Sequence, residues 1–383
     1  MGIFNTQVAY AADEISSPNN MPMGESLEFV SKGPNIDLGK LGDWNISGAA
    51  TAIGYKQSNP APQNPSSSGE FSNAQLLIQK NTGFTQFFIQ TGYYAVPVLG
   101  EEFKRAVLDT YNTYGMIPQA FVSFVPSKEW SLSLGKLPSM GGYEPTFTYQ
   151  NLNIQRGMLW GQTSSVSNGA VLNYDGDRLS TAISFTDGYF SNRFNWLGTS
   201  ASYKLDESQI LSASWTGALS ASSTNNQNTP LLQNNSQIYN LIYSASFGRW
   251  SATPYLQYSY IPANEAIGIP SSYQTRGAAI LTNYKMPTTF FDGATRELVS
   301  LPFRVEYINA SGSQLDGAPS ILYGAGSSAW SFTFTPTYQI NQYFVRVEAS
   351  YVKASNTTSG LAFGYSGNNN SQARAMMEVG ILY

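Results

Sequence analysis

Tyr343-Phe344-Val345-Arg346-Val347-Glu348-Ala349-Ser350-Tyr351-Val352-Lys353 decides the fold class. Read in steps of two, Tyr343, Val345, Val347, Ala349 and Tyr351 share one side, and Arg346, Glu348 and Ser350 share the other. That spacing is a β-strand, because successive side chains of a strand point to opposite faces. One face is aromatic and aliphatic while the other carries charge. Leu301-Pro302-Phe303-Arg304-Val305-Glu306-Tyr307 and Arg374-Ala375-Met376-Met377-Glu378-Val379 repeat the pattern, as do the stretches around Trp250 and Trp330. A soluble sandwich also alternates, but it does not usually do so in long strands along a whole chain this poor in charge.

The composition points the same way. Of 383 residues, 11% are charged and 14% are aromatic, against about 25% charged in an average soluble protein. Mean hydropathy is -0.22, and no run of apolar residues is long enough for a membrane-spanning helix. Low charge, many aromatics and alternating polarity are the signature of a transmembrane β-barrel. The chain has no His and no Cys. Histidine-based triads and zinc sites, thiolate chemistry and disulfides are therefore excluded. We expect no enzyme activity, cofactor or metal. The net charge of -4 argues against a nucleic-acid partner.

About sixteen strands follow from the alternation, from 43–56 to 373–383. Short turns such as Asn81-Thr82-Gly83 and Asp175-Gly176-Asp177 alternate with long Asn-, Ser- and Pro-rich connections at 57–70, 96–116, 138–167, 188–195, 219–236, 261–273, 310–327 and 354–372. Short periplasmic turns and long external loops are the outer-membrane arrangement. The connection at 286–297 reads as too long for a tight turn. Glu101 and Arg105, four apart, suggest a short helix in the second long loop. Before the barrel (43–383), residues 12–42 read as a periplasmic N-terminal segment. Ala9-Tyr10-Ala11 resembles a signal-peptidase site, making 1–11 the remnant of an export signal.

Several motifs resemble those of the OmpL-like β-barrel porin family of Gram-negative outer membranes. They are Asp43-Trp44-Asn45-Ile46-Ser47-Gly48, Phe71 to Lys80 followed by Gly83-Phe84, Gly135-Lys136-Leu137, Gly142-Tyr143-Glu144, Asn153 to Gly161, and Asp187-Gly188-Tyr189. In the Asn153 block, Gln155 and Gly157 stand where the family has serines flanking the arginine. The resemblance implies an outer-membrane porin and names no solute.

The third long connection is the candidate constriction, since in general porins the third external loop folds into the lumen. It holds Tyr143, Glu144, Tyr149, Arg156 and Trp160. Glu144 is expected to face basic wall residues; the alternative is a rim loop with a Glu144–Arg156 salt bridge. Arg304, Glu306, Arg346, Glu348, Arg374 and Glu378 share the inward parity. A lipid-facing Arg costs about 2–4 kcal/mol at the midplane, so all six are expected to line a water-filled lumen, as a selectivity element or as a self-neutralising ladder. Trp44, Trp130, Trp250, Tyr338 and Tyr343 lie near strand ends, where amphipathic rings sit at headgroup level. Tyr383 resembles the terminal aromatic read by the barrel-assembly machinery.

The expected function is passive diffusion of small hydrophilic solutes or ions through a barrel surrounded by outer-membrane lipid, with a homotrimer as one assembly. The rivals are a structural or adhesive barrel with a closed lumen, separated from a channel by conductance, and a transporter of hydrophobic compounds with an N-terminal hatch. The topology is testable. Residues in 219–236 and 354–372 should be labelled from outside intact cells; labelling confined to permeabilised cells would invert the orientation.

Overall fold

The computed structural model describes residues 27–29, 35–37, 39, 42–61, 64–226, 228–289, 295–313 and 320–383. The export-signal residues 1–11, with Ala9-Tyr10-Ala11, and most of 12–42 lie outside the described residues. The strands are β1 (Asn35–Asp37), β2 (Asp43–Gln57), β3 (Ser67–Lys80), β4 (Thr85–Tyr94), β5 (Gln119–Phe124), β6 (Trp130–Pro138), β7 (Val166–Asp175), β8 (Leu179–Thr186), β9 (Trp196–Lys204) and β10 (Gln209–Ala218). They continue with β11 (Gln237–Phe247), β12 (Trp250–Ile261), β13 (Tyr273–Thr289), β14 (Thr295–Ser300), β15 (Phe303–Ala310), β16 (Ser328–Phe334), β17 (Thr337–Ile340), β18 (Tyr343–Ser355) and β19 (Ser371–Leu382).

Among the described residues the named strands all pair antiparallel, and each stave pairs with the next. The sheet closes where β19 meets β2, from Arg374↔Gln57 to Leu382↔Ala49. β14 and β15 are one stave broken at Leu301-Pro302, and β16 and β17 are one stave broken at Thr335-Pro336. The barrel therefore has sixteen staves. The short segment β1 pairs with β2 at Asp43–Asn45, below the seam.

The two breaks lie side by side, and Thr335 N–H donates to the Pro302 carbonyl at 3.0 Å. The neighbouring β13 shifts register between Met286 and Thr288, at Pro287. Proline has no ladder donor, so a strand tolerates it at an edge or a bulge. Three adjacent staves are thus irregular at prolines side by side. β13 runs on to Thr289 and β14 starts at Thr295, so strand claims most of the connection expected at 286–297; the residues between lie outside the described ones.

Burial follows the alternation. On β18, Arg346, Glu348, Ser350 and Val352 are buried, while Val347 is 49% and Tyr351 42% exposed. The outward row continues on β16 with Trp330 and Phe332 and on β19 with Met377, Val379 and Ile381, all exposed. An apolar outer surface surrounding a polar interior suits a wall whose outer solvent is lipid.

This orientation makes a sharp prediction. Val347→Arg should lower the yield of heat-resistant folded barrel, by the midplane cost of about 2–4 kcal/mol. The neighbouring Ala349→Val should leave it unchanged. If Val347→Arg folds as well as wild type, the outward assignment of β18 is wrong.

Candidate functional site

Long connections leave one end of the barrel and short turns the other. The third long connection, 139–165, enters the barrel. Phe147, Tyr149, Ile154, Gln155, Arg156 and Leu159 are fully buried, and the loop touches inward side chains around most of the wall.

A loop backbone inside a barrel has no strand partner for its N–H and C=O groups, yet buried backbone groups are almost always paired. Charged wall side chains supply the partners. Glu348 accepts the N–H groups of Ile154 (2.6 Å) and Gln155 (3.2 Å). Glu306 accepts those of Met158 (3.2 Å) and Leu159 (3.3 Å). Arg346 donates to the carbonyls of Asn151 (2.8 Å) and Thr148 (2.7 Å), and Arg304 donates to that of Gln155 (2.9 Å). The carboxylates thus hold the loop's donors and the guanidiniums hold its acceptors.

The charges also pair among themselves. Arg346 sits opposite Glu378 in register and donates to it through Nε at 2.9 Å. Arg304 bonds Glu144 of the loop and lies 3.5 Å from Glu306. Glu144 accepts the Gly157 N–H at 2.6 Å. No Glu144–Arg156 ion pair forms. Arg156 instead donates to the carbonyls of Thr146 (2.8 Å) and Ile154 (3.1 Å), beside the Trp160 ring. Arg374 bonds Gln57, the Gln155 side chain and the Glu101 carbonyl.

The six wall charges therefore face inward, but they do not touch a water-filled lumen. Arg304 and Glu378 are 0% exposed and Arg374, the most exposed of the six, is 3%. The loop covers them, because buried charges need partners that water would otherwise supply. Tyr149 is likewise sealed, donating to Gln75 at 2.8 Å and accepting from Gln90 at 3.0 Å. Tyr143 packs on Tyr255 and donates to Thr253 at 3.0 Å.

The two positions that depart from the family pattern have clear work here. The Gln155 amide donates to Glu348 (2.7 Å) and Ser350 (2.8 Å) and accepts from Arg374 (2.5 Å). A Cβ on Gly157 would stand 2.1 Å from Glu306 and 2.8 Å from Glu144. Only glycine lets both carboxylates close on that turn. Both residues were legible only as substitutions; the side chains they meet are distant in sequence.

Across the barrel the inner face changes character. β8, β9 and β10 present Ser184, Thr186, Ser200, Ser202, Ser212, Ser214 and Thr216, and Ser200 and Ser202 are half-exposed. A small cleft of about 20 Å³ lies there, between the feet of the loop and this wall, lined by Ser139, Ser164, Ser167, Ser184, Thr186 and Thr216 with Met140 and Trp196.

Of the remaining expected residues, Trp130 pairs with Tyr174 and Trp250 with Tyr284, and both tryptophans are exposed near turns. Trp44 packs on Phe87, Tyr338 lies opposite Val345, and Tyr343 is 52% exposed. The Tyr383 ring covers Gly48, where a Cβ would meet it at 2.6 Å. The helix expected at Glu101–Arg105 begins later, as α1 (Ala106–Asn112). Arg105 turns instead to Glu70 at 3.1 Å, and the same carboxylate accepts the Ala106 N–H at the start of the helix.

Asp109 of α1 belongs to the long loop above the barrel and is 4% exposed. Burial raises its carboxyl to about 7, partly opposed by the Val96 N–H that it accepts at 2.7 Å and by nearby Lys104. A raised pKa means that the folded loop prefers the protonated form. Its stabilising contribution is full below about pH 4 and lost as pH rises through about 7. Limited proteolysis of 95–118 should therefore be slower at pH 5 than at pH 8. Asp109→Asn, which keeps an acceptor for Val96, should remove that difference; a pH dependence that survives the substitution contradicts this account.

The sequence profile of the family described as "Putative beta-barrel porin-2, OmpL-like" matches residues 43–383. No curated protein matches the chain. Among solved structures the chain is similar to the outer membrane channel DcaP of Acinetobacter baumannii, with TM-score 0.57 and 10% identity over 89% of this chain and 97% of that one. It is also similar to Salmonella typhi OmpF in complex with daunomycin, with TM-score 0.59 and 14% identity over 89% and 98%. Pseudomonas putida OprB gives TM-score 0.51 and 10% identity over 88% and 94%. At these identities the likeness concerns the fold alone, whereas the profile covers the whole barrel: the chain belongs to the OmpL-like β-barrel porin family and is a porin of the outer membrane.

Proposed function

We propose that the loop at 139–165 is the constriction of this porin, clamped on the charged half of the wall, and that solutes pass along the hydroxyl-lined half. The observation that carries this reading is the asymmetry of the inner face. The charges of β15, β18 and β19 are spent on the loop, the wall and one another and are buried, while Ser184 and Thr186 of β8 and Thr216 of β10 line the cleft left beside it. Pore diameter and lining groups set what a channel passes. A hydroxyl lining gives small polar solutes hydrogen-bond partners and a weak field, so ion preference is slight. The work is diffusion, with no covalent step. Tyr143, Glu144, Tyr149 and Arg156 act by fixing the loop.

The partner inferences accompany this reading. Lipid surrounds the exposed apolar belt, with Trp44, Trp130, Trp250, Tyr338 and Tyr343 as its aromatic girdle. The assembly machinery reads Tyr383. A homotrimer packs through β2, whose Ala50, Ala52 and Gly54 make a flat outer surface. The rival closed structural barrel draws on the thorough burial of 143–159, and it requires that the wild-type protein not conduct.

The cysteine-free chain allows a direct test in planar bilayers. Deleting 143–156 should raise single-channel conductance. Ser202→Cys treated with a charged thiol reagent should lower conductance, while Ser350→Cys, beneath the loop, should be unaffected. Unchanged conductance in a folded deletion variant excludes the constriction, and block at position 350 with none at 202 places the path on the wrong side.

A further inference from the structure

The described residues include three that precede the barrel and lie at its turn end. Leu27 is 8% exposed and belongs to one apolar cluster with Ala49, Phe344 and Leu382 of the wall and with Tyr94, Phe147 and Tyr149. Phe29 meets the Tyr149 ring edge-on at 5.9 Å. Between them Glu28 is held by its backbone: its N–H donates to Gln339 Oε1 at 3.0 Å, and the Gln339 amide donates back to its carbonyl. The Glu28 side chain is 72% exposed and lies 3.9 Å from Lys285. The segment is therefore docked with an apolar residue on each side of a solvent-facing carboxylate, which is the two-residue alternation of an extended chain.

What it docks against is the in-folded loop. Tyr149 stacks on Phe147 at 6.1 Å, Phe147 meets Tyr94 at 5.1 Å, Tyr94 stacks on Tyr114 at 6.3 Å, and Tyr114 meets Phe190 at 5.5 Å. A file of rings thus runs through the barrel from Phe190 and Tyr114, in the loops above, to Phe29 below. Aromatic pairs at these separations are favourable beyond their buried area, and close-packed interiors transmit displacement.

We propose that Leu27 and Phe29 are positioning residues for the pore: they wedge the constriction loop from the periplasmic side and set its width. The wedge accounts for a feature that the charge clamp leaves open. The wall carboxylates and guanidiniums bond the backbone of 144–159, Thr148 included, and leave the apolar faces of the Phe147 and Tyr149 rings to other partners. Leu27 and Phe29 fill that role, and removing them leaves the two rings facing water. The loop then loses its floor and fluctuates, and the pore opens wider for part of the time. The inference rests on 139–165 being the constriction.

The test is single-channel recording of Leu27→Ala/Phe29→Ala beside the 143–156 deletion. The double variant should show open-channel noise and a mean conductance about 1.5-fold or more above wild type, and Leu27→Met/Phe29→Tyr should restore the wild-type trace. Neither residue belongs to a barrel strand, so heat-resistant folding should persist. Wild-type conductance in the double variant, with a raised value in the deletion, overturns the wedge and leaves the constriction standing. A deletion without effect removes both. Seating has its own readout: Leu27→Cys should react with a water-soluble maleimide far more slowly than Glu28→Cys. Equal rates mean that the segment is not docked, and the wedge fails.

Discussion

The structure depends on how a stretch of loop backbone is satisfied inside a closed barrel. Strands solve the problem for the wall by pairing with neighbours. The segment 144–159 has no neighbour of that kind. Glu306, Glu348 and Glu144 take its N–H groups, while Arg304 and Arg346 take its carbonyls. The charges are worth burying only because every one is answered by its opposite or by a backbone dipole. Losing one member would strand the rest, so the loop and the wall form a single unit.

That arrangement divides the interior. One half of the inner wall is spent on holding the loop, and the other keeps neutral hydroxyls beside a cleft. The row Pro287, Pro302 and Pro336 interrupts the regular ladder in the charged half, and Thr335 beside that row donates to Glu348 at 2.8 Å and accepts from Asn153 at 2.8 Å. The irregular wall and the irregular loop thus meet where each can bond the other.

Much of this was legible in the residues. The alternation of Arg304, Arg346 and Arg374 against Val305, Val347 and Ala375 specifies which side faces inward, because a charged side chain has no place in lipid. The third long connection was singled out only by analogy with general porins, not by its residues. What did not follow was the state of those charges. Parity says inward; it does not say whether water or a loop awaits there, since that depends on contacts between residues more than a hundred positions apart. Gln155 and Gly157, which stand where the family has serines, carry specific bonds and clearance. Leu27 and Phe29 had no signal at all, because two apolar residues in a polar leader have no period to read. The misplaced helix has a local cause: Glu70 on β3 draws Arg105 away from Glu101 and caps the turn that follows.

The seam between β2 and β19 has a consequence for how the molecule comes into being. Every other stave pairing among the described residues joins staves that are neighbours in the chain, but across the seam Arg374 and Gln57 are 317 residues apart. Contacts of such separation carry the largest loop-closure entropy and form late. Until β19 arrives, β2 presents an open edge of unpaired backbone groups, the feature that draws foreign strands and aggregation. The nascent sheet therefore remains hazardous until its final stave is in register.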